Sequence, residues 1–302
     1  MTRSSGSGGK VWWAELLPWE FKQRLAECPV AYLPLGLCEP HGQIAALGLD
    51  TIKAEWLCEQ AARQAGGIVA PTMGYHIHES GYHARWLEDT VGEHNPHMTG
   101  MPPHVYLHFF LYQLRALVHA GFKAIFVISG HSGGNQFDLR RAAAAFTRLS
   151  SVPVYVASDP ELVTGQYEGD HAGKYEISQL MYLRPELVDL ARDHLHDIDE
   201  AGGALAIGDN AREASAELGE HIMQACLRQL IQEVERVPLG QDKPARSMMT
   251  YEMIEGLWQQ LWQERADWVT SQPHEDQLPV TPGSQWKQAE RALHQLFGSG
   301  ER

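Results

Sequence analysis

Apolar positions along this chain fall into two kinds of block, short continuous runs and longer stretches of helical spacing, and the two alternate. Residues 30–36 (VAYLPLG), 67–73 (GIVAPTM), 124–129 (AIFVIS) and 152–158 (VPVYVAS) are brief apolar runs rich in β-branched residues, which predicts buried strands. Between and after them the spacing predicts helices over about 51–64, 104–119, from near 137, from near 174, and over about 211–235. Alternating β and α elements with uniformly apolar strands imply an α/β fold, a mainly parallel sheet with helices on both faces.

The last sixty or so residues read differently. QDKPARS (241–247) is a linker, and TYEMIEGLWQQLWQERADWV predicts a helix with Ile254, Leu257, Trp258, Leu261 and Trp262 on one face. A loop over 271–284 and a short helix over 286–297 follow. The expected division is a flexible N-terminus (1–10), a main domain (11–240) and a Trp-rich helical extension (241–302). The tryptophans predict that the extension buries itself on the core or on a neighbouring subunit; a lid over a site is the alternative.

Composition narrows the partners. The chain has 302 residues, with 38 acidic against 24 basic side chains and a net charge of −14. It has no Lys/Arg cluster to meet a phosphate backbone, so nucleic acid is not an expected partner. No apolar run has the roughly 18 residues a membrane span needs, and residues 1–10 lack a signal-peptide core. Cys28, Cys38, Cys58 and Cys226 have no CxxC spacing, which predicts reduced thiols in a cytoplasmic protein. Sixteen histidines are many for this length, and many lie between residues 41 and 131.

Two stretches carry chemistry. In SGHSGGN (129–135) a predicted strand runs into a glycine-rich turn and then a helix. Gly130-His131-Ser132-Gly133-Gly134 satisfies the G-x-S-x-G elbow of serine hydrolases, yet the same turn can present His131 as a metal ligand. A serine mechanism would recruit Glu161 or Asp170 with His171 or His194. In LPLGLCEPHGQIAALGLDT (33–51), Glu39 and His41 lie two residues apart after a strand, so extended backbone points both the same way. Asp50 follows at the predicted start of a helix. Two carboxylates and an imidazole at one strand end suit Zn²⁺, Mn²⁺ or Fe²⁺. Taken singly, Asp50 reads as a helix N-cap and Glu39–Gly42 as a polar turn.

In order and spacing, these motifs, with DHAGKYEIS (170–178) and GDNAREASAELG (208–219), resemble the creatininase family over about residues 11–235. The resemblance implies a three-layer α/β/α sandwich, a two-metal hydrolase acting on a small-molecule amide, and a homo-oligomer, commonly a hexamer. It assigns Glu39, His41 and Asp50 to the first metal motif, with Asp50 bridging, and His131 to the histidine ligand. This favours His131 over Ser132 as the working residue of the glycine-rich turn. Creatinine amidohydrolase has a glutamate where this chain has Gly133, so the remaining carboxylate must come from elsewhere, and Glu176 is the candidate. His171 occupies the catalytic histidine position, and Tyr167 stands where creatinine amidohydrolase has a tryptophan. The chain is therefore expected to be a relative rather than creatinine amidohydrolase itself.

The implied reaction is attack on a cyclic amide, formamide or related C–N bond by a water activated between two divalent ions. An imidazole, with an unperturbed pKa of about 6.5, suits protonation of the departing nitrogen. Ser132, Gly133, Gly134 and Tyr167 are expected to line the substrate, with Gly133 and Gly134 N–H groups facing an anionic part. The histidine-rich segment 75–104 is long enough to be functional, and Glu79 and His83 are its expected substrate contacts. Most of its histidines read as exposed loop residues, with a further metal ligand from this segment as the alternative. The competing readings are a serine hydrolase using Ser132 and a scaffold that kept the fold and lost the chemistry.

Overall fold

In a computed structural model the described residues are 9–77, 84, 85, 88, 98–192, 208, 210–237, 249–272 and 278–284. An N-terminal helix α1 (Pro18–Glu27) precedes β1 (Val30–Leu35), α2 (Leu49–Ala65), β2 (Ile68–Val69), β3 (His76–Ile77), β4 (Gly100–Met101), α3 (Pro103–Ala120) and β5 (Ala124–Ser129). Then come α4 (Asn135–Ser150), β6 (Val154–Ser158), the single turn α5 (Asp159–Leu162), α6 (Lys174–Leu183), α7 (Ala216–Arg236) and α8 (Tyr251–Gln263). Strands β2-β1-β5-β6 form one parallel sheet in that order, and β3 and β4 form a small parallel pair beside it.

Strand alternation sorts the core into two halves. Ala31, Leu33, Leu35, Ile125 and Val127 face one way, into α3, α4 and α8, through Tyr106, Phe110, Phe146 and Ile254. Val30, Tyr32, Phe126 and Ile128 face the other way, into α2 and α7, through Leu57, Cys58, Cys226 and Leu230. A central sheet with both faces covered is a three-layer α/β/α sandwich. All six residues of β1 and of β5 are buried, as their continuous apolar runs predict.

Several expectations shift in detail. The 67–73 run keeps only Ile68–Val69 as strand, with Met73 rejoining through a bridge to Leu35. The 211–235 helix splits: Ala211–Glu213 form a 3₁₀ turn, Ser215 caps through its side chain, and α7 begins at Ala216. The C-terminal helix stops at Gln263, not near 269, and two 3₁₀ turns (Arg265–Asp267, Val269–Ser271) replace its last stretch. Helix α1 has no counterpart in the sequence reading, although Pro18 at its first position and Glu20, accepting from Leu17 N at 2.7 Å, are start signals. The helix expected over 286–297 lies outside the described residues. All four cysteines are thiols, and no described helix is long and apolar enough to cross a membrane.

A candidate metal centre at the switch point of the sheet

The strand order reverses between β1 and β5, and ligands of open parallel sheets collect beyond the carboxyl ends of strands at such a point. Two glycines let α2 press onto it. A Cβ on Gly36 would collide with Thr51, with Thr51 Cα only 2.5 Å away, and one on Gly130 would strike the Asp50 carbonyl oxygen. Only glycines after β1 and β5 allow the first turn of α2 to sit there, and that turn carries Asp50 between the two strand ends.

Glu39 and His41 follow β1, His131 follows β5, and His171 and Glu176 flank the start of α6. Asp50 divides its oxygens among them. Oδ2 lies 3.4 Å from His131 Nδ1, which is also 3.0 Å from Glu39 Oε1 and takes its hydrogen bond there. Oδ1 lies 3.7 Å from His41 Nε2, itself 3.5 Å from Glu176 Oε2. Donor atoms of Glu39, Asp50 and His131 all lie within 4.8 Å of one another, as do those of His41, Asp50 and Glu176, and of Glu39, His41 and His171.

His171 sits at the rim, its ring stacked on His41 at 5.0 Å between centroids. Its Nε2 lies 3.2 Å from the Pro40 carbonyl. Its Nδ1 faces the cluster, 3.8 Å from Glu39 Oε1 and 4.0 Å from Glu176 Oε2. The turn holding it is strained: Ala172 has φ +51°, unusual for a residue with a side chain, and its N–H donates to Glu176 Oε2 at 2.9 Å. Asp170 steadies the same turn, accepting from the backbone N–H of Gly173, Tyr175 and Glu176. The Asp170 oxygens are therefore committed to a helix start, away from a serine triad. Glu161 is likewise engaged, with Ser158 and Arg140. Among the described residues Ser132 makes no hydrogen bond to an imidazole.

Buried polar atoms without partners are the test of what the cluster holds. Among the described residues both oxygens of Asp50 and both ring nitrogens of His41 are buried with no hydrogen-bond partner, although buried polar atoms are nearly always paired. Charge points the same way: among the described residues Lys53 is the one ammonium in contact with the buried carboxylates Asp50, Glu176 and Asp159, and Glu39 is a fourth buried carboxylate in the cluster. Burial opposes every charge here, but Glu176, then Asp50 and Glu39, hold His41 protonated up to about pH 9. Glu39 and Asp50 likewise raise His131 well above the usual imidazole range against burial. Asp50 is pushed up to about 6, by burial first. Imidazoles driven to take protons beside carboxylates left bare mark a site that lacks positive charge. Oxygen and imidazole nitrogen donors in this number suit divalent ions.

Some site residues were not legible in the sequence. Lys53, one turn after Asp50 on α2, donates to Glu176 Oε1 at 2.7 Å. Asp159, at the carboxyl end of β6, faces Lys53 at 3.3 Å. His76 is an exception among the histidines of 75–104, most of which are expected to be exposed: it is fully buried, stacked on Tyr106, 5.3 Å from the His131 ring and 3.2 Å from Ser129 Oγ. Burial holds it well below the usual range, and hence neutral. Ser132 and Gly133 sit half-buried after His131, and Gly134 caps α4. Tyr167 is half-buried and packs against the α2/α7 side of the core. Glu79 and His83 lie outside the described residues.

Fold and cluster together define an α/β enzyme of the hydrolase class. The chain belongs to the creatininase family, whose model, described as creatinine amidohydrolase, matches residues 14–234. It is 26% identical to creatinine amidohydrolase of Pseudomonas putida over 73% of this chain and 92% of that one. It is also 26% identical to the 3-dehydro-scyllo-inosose hydrolase of Thermotoga maritima, over 56% of this chain and 55% of that protein. Solved creatininase structures, among them a Zn–Zn and an Mn form, match with TM-scores of 0.61 and 0.62 at 24% identity. They cover 75% of this chain and 98% of theirs, and at that identity they show the fold. At these distances the chain is a relative of creatinine amidohydrolase rather than that enzyme.

Proposed function

We propose that the protein is a metal-dependent amidohydrolase that opens a C–N bond of a small cyclic amide, formamide or related amide. The observation that carries this reading is the pair of buried, unpartnered ligands Asp50 and His41 at the centre of a cluster short of positive charge. The division of Asp50 oxygens suggests two positions, one held by Glu39 Oε1, His131 Nδ1 and Asp50 Oδ2, the other by His41 Nε2, Glu176 Oε2 and Asp50 Oδ1. Divalent ions there (Zn²⁺, Mn²⁺ or Fe²⁺) would lower the pKa of water toward about 7 and polarise an amide carbonyl.

The remaining work falls to side chains of this chain. With Nε2–H donating to Pro40 O, His171 turns its Nδ1 to the cluster side. That nitrogen takes the proton released when water attacks and returns it to the departing nitrogen, so the amine leaves neutral. Its stack on His41 fixes the direction of delivery. Ser132 and the backbone of Gly133 and Gly134 line the substrate at the start of α4, where N–H groups favour an anionic part. Tyr167, Glu79 and His83 are proposed to complete the pocket. Free thiols suit a cytoplasmic setting. Exposed Val105, Phe109 and Tyr251 suit a homo-oligomer, a hexamer on the resemblance.

The test is metal content per chain on protein purified without chelator, for wild type and His131→Ala. About two ions in wild type and a clear loss in the variant are expected. Chelation should abolish hydrolysis of lactams and formamides and re-addition restore it, while Ser132→Ala stays active. Absence of metal from both proteins would overturn the reading and return the question to Ser132. Bound metal with no turnover across amides would favour a scaffold.

A further inference from the structure

Lys53 is the feature the reaction does not explain. Its side chain is 2% exposed and its ammonium contacts three carboxylates: Glu176 Oε1 at 2.7 Å, Asp159 Oδ1 at 3.3 Å and Asp50 Oδ1 at 3.8 Å. Glu176 is thereby split. Oε1 belongs to Lys53, and Oε2 alone faces His41, at 3.5 Å, oriented by the Ala172 N–H at 2.9 Å. Lys53 is itself anchored, because the second oxygen of Asp159 is held by the Tyr175 hydroxyl at 3.0 Å and Gln179 Nε2 at 2.8 Å. The ammonium is thus fixed on the His41 side of Asp50. Among the described residues Glu39 and His131, on the other side of Asp50, contact each other, Asp50 and His171 rather than this ammonium.

We propose that Lys53 is a positioning residue that makes the two ion positions unequal. It reduces Glu176 to a one-oxygen donor, and its fixed charge stands against the ion held by His41, Asp50 and Glu176. The position formed by Glu39, Asp50 and His131 has two carboxylates and no neighbouring ammonium in contact, so it fills first and empties last. The enzyme then gains its second ion only at higher metal concentration, which makes activity responsive to metal supply. This rests on the two-position reading above.

The experiment is an equilibrium titration of chelator-stripped protein with Co²⁺, followed by calorimetry and by visible absorbance, for wild type, Lys53→Met and the charge-balanced Lys53→Met/Asp159→Asn. Wild type should bind in two separated steps. In the double variant the weaker step should tighten at least about tenfold while the tighter step stays within about threefold. An unchanged weaker step, or both steps shifting together, overturns the role of Lys53 and leaves the two-ion reading standing. Failure of wild type to take up a second ion overturns both. A second measurement needs no variant: wild-type crystals soaked at rising Co²⁺ should fill the Glu39–Asp50–His131 position first. Filling of the His41 position first overturns the proposal.

Discussion

Asp50 and Asp138 are alike in everything a local reading can see. Each lies in the first turn of a helix, α2 and α4, and each is buried, at 0% and 1% exposure. Burial raises the pKa of both. Their surroundings differ completely. Asp138 accepts from Val269 N at 3.0 Å, Thr270 N at 2.9 Å and Thr270 Oγ1 at 2.6 Å, so its carboxylate ties the C-terminal segment to α4. Asp50 has no hydrogen-bond partner on either oxygen among the described residues. A buried carboxylate with every donor supplied is a fastening, and one left bare among other ligands is kept for something that binds.

The sharpest way to break that contrast is Asp50→Asn. Loss of the carboxylate proposed to bridge the ions should remove metal and lower amide hydrolysis at least about a thousandfold. The metal-free variant should nevertheless resist urea as well as metal-free wild type, because a buried carboxylate without a hydrogen bond has been taken away. A variant that unfolds early without metal would mean Asp50 is a fastening after all.

The next effect is read in pH. A base whose folded pKa exceeds its unfolded one stabilises the fold fully below the unfolded value, and the gain fades as pH climbs through the folded value. For His41 that window runs from 6.5 to about 9. Metal-free protein should therefore lose roughly 3 kcal/mol of stability across it, visible as a falling urea midpoint. Asp50 acts in a lower window: an acid raised from 3.8 to about 6 penalises the fold increasingly as pH rises between those values. With ions bound, both trends should flatten, since ligation replaces the protons. Equal slopes with and without metal would count against the candidate site.

Asp138→Ala probes the other half of the comparison. It leaves three donors unanswered, two of them on the backbone, and should cost about 2 kcal/mol in urea unfolding. Metal content and turnover per folded molecule should be unchanged. If metal binding falls with stability, the C-terminal segment supports the site more directly than this contact implies.

How much of this could be read in advance follows from which contacts are local. The alternation of apolar runs gives β1, β5 and the two covered faces directly, because a strand buried on both sides needs every side chain apolar. Glu39, His41 and Asp50 stand out because several ligand types crowd one strand end. Their grouping with His131, His171 and Glu176 comes from resemblance, since no spacing rule joins residues eighty or more positions apart. Lys53, Asp159 and Asp138 went unnoticed because a charged side chain on a helix usually faces water, and only tertiary contacts reveal otherwise. Lys53 did carry a signal, three residues after Asp50 and so on the same helical face. His76 was lost among neighbouring histidines whose shared loop composition hides which one turns inward.

Glu255 supplies the third member of the series, a carboxylate with partners but without burial. It accepts from the Tyr112 hydroxyl at 2.5 Å and lies 2.9 Å from His108 Nε2, fastening α8 to α3 much as Asp138 fastens the segment beyond it. Its side chain is 43% exposed, so water replaces whatever contact is lost. Glu255→Gln keeps an acceptor oxygen and removes the charge, and should cost only about 0.5 kcal/mol in urea unfolding. Stacking of Trp258 on His108, at 4.7 Å between centroids, and burial of Ile254 and Leu257 hold α8 in place without it. A loss as large as that of Asp138→Ala would show that partners rather than burial set the worth of a carboxylate in this fold.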